Sequence, residues 1–294
     1  MNLSWEDACF VRGFYLKGGA WKSVFFLSLG FIIGVVYVVL LINLAQFSSN
    51  PILYQATRES TNLTCTFDYY ERLLDEMGKE RYAVLRVVDF IRLYRNDSLP
   101  LGKVIVILRH DVDFSPSLAY RMADLEMKYG IRSTYYIRTR GPYNILGRGF
   151  HDWLKNLSDL GFEVGLHYET LYYSNYNFTE AERLLESDLN LLRSIVPVYT
   201  VCSHGNAPRQ KYVNYEVFVR NPGLYSRLRI EGEAYLTVFK ILRQLKASGM
   251  IRDHVYLSDT YRRDIDWIGC LRNASAGEII YILIHPDNWR TRNK

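Results

Sequence analysis

The sequence predicts an α/β domain with a parallel sheet, open or closed into a barrel, behind one membrane-spanning helix. Three observations predict it. Beyond Pro100 short β-branched runs alternate with helical patterns, and ionisable residues stand at the ends of those runs. Near the N-terminus, one uncharged stretch is long enough to cross a bilayer.

Taken in order, residues 1–22 form a short tail. Ser23 to Ile42, SVFFLSLGFIIGVVYVVLLI, holds twenty residues without a charge, enough for a hydrocarbon core of about 30 Å. A secretory signal would have a shorter apolar region and a small-residue cleavage site, so residues 23–45 read as an uncleaved helix. Arg12, Lys17 and Lys22 precede the span and the first basic residue after it is Arg58. The positive-inside rule places the tail in the cytoplasm and everything from about residue 46 outside, as in a single-pass cell-membrane protein. Gly30 and Gly34 form a GxxxG pair, a helix-packing face that would serve a homodimer. Residues 46–66 are a polar tether. Five Asn-x-Ser/Thr sequons follow the span, at Asn62, Asn96, Asn156, Asn177 and Asn273, as in an extracytoplasmic glycoprotein. The net charge is +5 with no run of five Lys/Arg, so no nucleic-acid partner is expected. Three cysteines outside cannot all pair internally, and no Cys/His zinc spacing occurs among them.

From Phe67 to Tyr94 apolar residues recur at three- and four-residue spacing, which predicts two amphipathic helices broken near Gly78 and a helical extension over 67–99. Strands are expected at Val104–Leu108, Ser133–Ile137, Glu163–His167, Tyr199–Ser203, Val255–Ser258 and Ile279–His285. Helices are expected at Ser117–Tyr129, Phe150–Leu160, Glu180–Ile195 and Gly232–Ala247. Asp111 and Asp113 then close the first strand and His167 the third, His204 follows the fourth, Asp259 the fifth, and His285 the last. In a parallel barrel such C-terminal strand ends meet on one face.

Residues two apart on a strand point the same way, so Arg109, Asp111 and Asp113 share a side while His110 and Val112 face away. Two adjacent carboxylates repel unless a cation sits nearby. A divalent metal on one, with Arg109 beside the other, resolves the conflict. The plain alternative is that Asp113 caps the helix after Ser115-Pro116. Carboxylate plus imidazole suits Zn²⁺ or a similar transition ion, and a coordination position open to water would make the site hydrolytic.

In order, LRHDVDFSP, ADLEMKYGIRSTYYIR, GFEVGLHYE, CSHGN, LSDT and LIHPDNW resemble the polysaccharide deacetylase superfamily of metal-dependent carbohydrate esterases. The likeness runs over about residues 80 to 289. It is nearest to a divergent branch whose first motif reads RHDVD in place of TFDDG. The resemblance implies an irregular, distorted parallel β/α barrel of about seven strands, with residues 100–294 as the catalytic domain. By position it makes Asp111 the catalytic base, Asp113 the first metal ligand, His167 the first histidine of an H-[ST]-x-x-H motif, and His285 the group that assists the leaving group. Leu171 stands where that motif has its second histidine. His204 is the first choice for the missing ligand, with Glu169 second and Asp259 third. Glu169 and Asp259 otherwise line the substrate cleft, with Trp267 or Trp289 stacking on a sugar.

The function expected is removal of N- or O-linked acetyl groups from a cell-surface or lipid-linked glycan. Two rivals stand beside it. A glycosyltransferase would use Asp-x-Asp to hold a metal and a sugar nucleotide, but such a motif follows a nucleotide-binding half, and here only helices are expected before the first strand. A sugar-binding barrel that has lost its metal would account for Leu171.

Overall fold

The computed structural model describes residues 65–205, 212–260 and 265–290. The chain divides into two units, 1–58 and 59–294, and the described residues all belong to the second. The expected span, its flanking tail, the Gly30/Gly34 pair and nearly all of the tether lie outside the described residues. Among the described residues no helix is long and apolar enough to cross a membrane.

The elements run α1 (Phe67–Met77), β1 (Tyr82–Leu85), α2 (Val87–Arg95), β2 (Val104–Val112), α3 (Pro116–Lys128), β3 (Thr134–Ile137), α4 (Arg148–Asp159), β4 (Glu163–Tyr168), α5 (Thr170–Tyr173), α6 (Phe178–Arg193) and β5 (Thr200–Ser203). Then come α7 (Glu216–Arg220), α8 (Leu224–Arg227), β6 (Gly232–Glu233), α9 (Leu236–Ala247), β7 (Asp253–Ser258), α10 (Trp267–Asn273), β8 (Glu278–Ile284) and a 3-10 turn at Pro286–Asn288. Local chemistry sets several starts. Thr66 caps α1 by accepting from the Tyr69 amide, Asn177 caps α6 by accepting from Glu180, and Asp266 caps α10 by accepting from Ile268. Ser115 is the N-cap of α3 and Pro116 stands at its first position. Asp113 therefore does not cap that helix and is left for other work.

All strand pairs are parallel. The sheet order is β6-β5-β4-β3-β2-β8-β7, with β1 added beside β2. The first half of β2 (Val104–Ile107) pairs with β1, its second half (Arg109–Val112) with β3, and β8 lies along its other edge. Among the described residues β6 and β7 do not pair, so the barrel is open between them, and α9 packs on both. This is a distorted, half-closed version of the barrel expected from the sequence.

Strand β2 is buried at all nine positions, as a central parallel strand covered on both faces must be. Alternation splits it. Ile105 and Ile107 join a cluster with Tyr136, Cys202, Tyr281 and the α9 residues Val238, Ile241 and Leu242, whereas Val104, Val106 and Leu108 pack with α1, Trp267 and Trp289. On the second face His110 Nε2 meets Glu126 Oε1 at 2.6 Å, and Tyr70, Tyr135 and Ser133 also donate to that carboxylate. This network ties β2 to α1, α3 and β3 on the face that His110 takes. Gly165 of β4 lies beside the Tyr136 ring, where a Cβ would collide with the aromatic carbons, so only glycine lets that ring fill the concave face.

Two expectations are corrected. Residues 67–99 are not a purely helical extension, because Tyr82–Leu85 is a strand that joins the sheet through β2. Gly232 and Glu233, expected to open a helix, form the edge strand β6, and the helix starts at Leu236.

Candidate active site and metal centre

The C-terminal ends of β2, β4, β5, β7 and β8 bring Asp111, Asp113, His167, His204, Asp259 and His285 to one side of the sheet. His167 Nε2 lies 3.3 Å from Asp113 Oδ1, and His204 Nε2 lies 3.5 Å from the same oxygen. A tetrahedral zinc with bonds of about 2.0–2.1 Å separates its ligand atoms by about 3.3–3.4 Å. The two separations from Asp113 match that spacing, and the three ligand atoms all lie within 4.8 Å of one another. Both rings are set in the ligating tautomer by their far nitrogens: His167 Nδ1 donates to the Cys202 carbonyl at 3.0 Å, and His204 Nδ1 faces Glu169 Oε2 at 3.2 Å. Asp113 Oδ1 is buried with no aligned hydrogen-bond donor among the described residues, as an oxygen shaped for a cation would be.

The electrostatics point the same way. Burial would raise the Asp113 carboxyl, but the imidazoles of His167, His204 and His285 hold it at about 2. Burial would lower His167, yet Asp111 and Asp113 outweigh it and its value rises. The negative potential that favours a proton there favours a metal cation equally.

Asp111, 1% exposed, sits to one side. Its Oδ2 is 3.7 Å from His167 Nε2 and its Oδ1 is 3.6 Å from Arg109 Nη1. Arg109 is fully buried, with its guanidinium against the rings of Tyr235 at 4.2 Å and Tyr281 at 5.3 Å. Cys202, which the sequence gave no role, stands between them: Arg109 Nη1 donates to its Sγ at 2.6 Å, and Sγ is 3.6 Å from Asp111 Oδ2. Asp111, His167 and Cys202 form a second set of clustered ligand atoms. A cation there would sit against the Arg109 guanidinium, so the Asp113, His167 and His204 set is the better metal cage.

His285 follows β8. Its Nδ1 is 2.7 Å from Asp259 Oδ1, while Asp259 Oδ2 accepts from the His285 amide at 2.8 Å and the Trp289 indole at 2.9 Å. Burial would lower His285, but Asp259, with Asp111 and Asp113 behind it, lifts it to about 9. Protonated at neutral pH, it is poised to donate.

Several expected roles move. Asp259 is fully buried and orients His285 instead of lining a cleft. Trp267 and Trp289 are each 0% exposed and pack against each other, their ring centroids 6.1 Å apart, so neither offers a face to a sugar. Glu169 spends one oxygen on His204 and the other on Arg138, so it supports the His204 ring instead of offering a free oxygen to a metal or a substrate. Leu171 is buried in the apolar cluster with Val112 and Ile137. The exposed aromatics at the strand-end loops are Phe114, directly after Asp113, and Tyr172 and Tyr173, after Glu169. Sequence reading missed these and Arg138. Phe114 and Arg138 stand inside motifs already quoted and Tyr172 and Tyr173 shortly after Glu169, and that nearness was the one signal they gave.

The fold and site together are those of an open parallel barrel with a carboxylate–imidazole cage at its strand ends. No family model and no curated protein matches the chain. Among solved structures it is similar to the deacetylase PplD of Streptococcus pyogenes, determined with acetate, at 16% identity over 56% of this chain and 70% of that one, with a TM-score of 0.36. It is also similar to a family 4 carbohydrate esterase from Bacillus anthracis, at 11% identity over 72% of this chain and 76% of that one, with a TM-score of 0.32.

Proposed function

We propose that the protein is a metal-dependent hydrolase that removes acetyl groups from a glycan. The observation that carries this reading is the convergence of His167 Nε2 and His204 Nε2 on Asp113 Oδ1, with Asp111 beside the cage and His285 near enough to feel the charges of Asp111 and Asp113. Asp113, His167 and His204 would hold the ion, which supplies Lewis-acid polarisation of an acyl carbonyl and of water. Asp111, compensated by Arg109, takes the proton of the attacking water. His285, held charged by Asp259, gives a proton to the departing amine or alkoxide. The exposed rings of Phe114, next in sequence to Asp113, and of Tyr172 and Tyr173, a few residues after Glu169, would suit pyranose faces.

The uncharged stretch at 23–45 supports a single-pass anchor with the barrel outside the cytoplasm, facing a cell-surface or lipid-linked glycan. The four sequon asparagines among the described residues, Asn96, Asn156, Asn177 and Asn273, all lie at the surface, which accords with that side of the membrane.

The test is acetate release from an acetylated glycan by the full chain, abolished by a chelator and restored by Zn²⁺. No acetate release by metal-loaded protein from either N- or O-acetylated oligosaccharides would overturn the reading. For topology, protease added to intact cells should reach the barrel and spare the tail; protection until lysis reverses the orientation.

A further inference from the structure

We infer that Glu169 and Arg138 are positioning residues that make His204 the third metal ligand, in place of the histidine that Leu171 has displaced. This rests on the metal site proposed above and concerns what holds it together. Leu171 cannot contribute, since it is fully buried among apolar side chains. The third imidazole instead arrives from the loop after β5, and a loop residue needs to be fixed. Its backbone is fixed by the His204 amide donating to the Tyr168 carbonyl at 2.8 Å and by Asn214 Nδ2 donating to the His204 carbonyl at 3.1 Å. Its ring is fixed by Glu169.

Glu169 stands two residues after His167, at the N-cap position of α5, with one carboxylate oxygen 3.2 Å from His204 Nδ1. That contact leaves the lone pair on Nε2, the atom that faces Asp113. The other oxygen accepts from Arg138 Nη2, and Arg138 Nη1 donates to the Asp113 carbonyl at 3.2 Å. The guanidinium thus joins the main chain of one ligand to the carboxylate behind another, and the contacts close a ring: Asp113, Arg138, Glu169, His204 and back to Asp113. Glu169 is 7% exposed and Arg138 8%, so the pair is shielded from solvent and its geometry is held tightly. The Glu169 carboxylate faces both the His204 ring and the Arg138 guanidinium. It is the charged partner that orients and strengthens an imidazole ligand.

A buried ion pair that merely joined two loops would occupy the same place. A cycle of zinc-affinity measurements on the full chain separates the two roles, using competition with a chelating dye. Glu169→Gln alone and His204→Ala alone should each weaken zinc binding, by roughly 10- to 100-fold for the former. If Glu169 acts through His204, adding Glu169→Gln to His204→Ala costs no further affinity. The Co²⁺ visible spectrum of Glu169→Gln should shift toward that of His204→Ala. Should Glu169→Gln fail to fold, Arg138→Met carries the same cycle. Wild-type zinc affinity in Glu169→Gln, or losses that multiply in the double variant, would overturn the inference while leaving the metal site standing. A wild-type chain that binds no zinc overturns both.

Discussion

Asp259 holds His285 at two points: its two carboxylate oxygens take the ring Nδ1 at 2.7 Å and the backbone amide at 2.8 Å, and the second oxygen is braced by the Trp289 indole at 2.9 Å. The carboxylate is fully buried, and the imidazole it faces is raised to about 9.

That pair sets a pH dependence. Because the folded value of His285 lies above its ordinary value of about 6.5, the stabilisation it contributes is full below that ordinary value and is lost as pH rises through about 9. The acid form needed for donation persists over the same range. Asp259→Asn should move the alkaline limb of the rate profile down toward the ordinary histidine range and lower turnover at pH 8 by about 10- to 100-fold. A pH–rate profile in which the alkaline limb stays near 9 would count against this pairing.

On the proposed mechanism, the two aspartates of the first motif should separate cleanly. Asp113→Asn removes a charged ligand from the cage, so metal content and activity fall together. Asp111→Asn leaves the cage intact and removes the base, so metal stays while turnover drops by about a hundredfold to ten-thousandfold. Metal analysis beside a single-turnover assay reads both.

Trp267, expected from the sequence to meet a sugar, is a core residue here. Trp267→Ala should cost about 3–5 kcal/mol of stability. Denaturant unfolding would measure it. Glycan affinity of the protein that remains folded should not change, whereas a selective loss of glycan binding at full stability would return the ring to the substrate.

The exposed ring of Phe114 carries the opposite expectation. Phe114→Ala should leave stability and the hydrolysis of a small acetyl ester unchanged. It should raise KM for an oligosaccharide about 2- to 10-fold, the worth of one stacked aromatic contact. Equal effects on the small ester and the oligosaccharide would remove the ring from glycan recognition.

Much of this was legible in the chain. Val104 to Leu108 announced a buried strand, and alternation placed Arg109 and Asp111 together on one side, where they lie 3.6 Å apart. The ordered strand-end residues announced the face on which they meet, and GLHYE and CSHGN nominated the imidazoles that now converge. Strand β1 was not legible, because YAVL sits inside a helical apolar rhythm and becomes a strand only by pairing with the first half of β2. Strand β6 has two residues, too few to carry any period.

What the sequence alone determined is therefore the kind of residue at each strand end and the face it takes, since both follow from local period and parity. What only the tertiary structure decided is who partners whom. Trp289 could stack on a sugar or brace Asp259, and Glu169 could ligate a metal or hold His204; nothing within a few residues of either distinguishes the choices. Their outcome depends on which distant segment arrives within about 3 Å, since a hydrogen bond weakens steeply beyond that reach. Packing the whole barrel fixes those distances, and so Asp259 became the anchor of His285, Trp289 its brace, and Glu169 the support of His204.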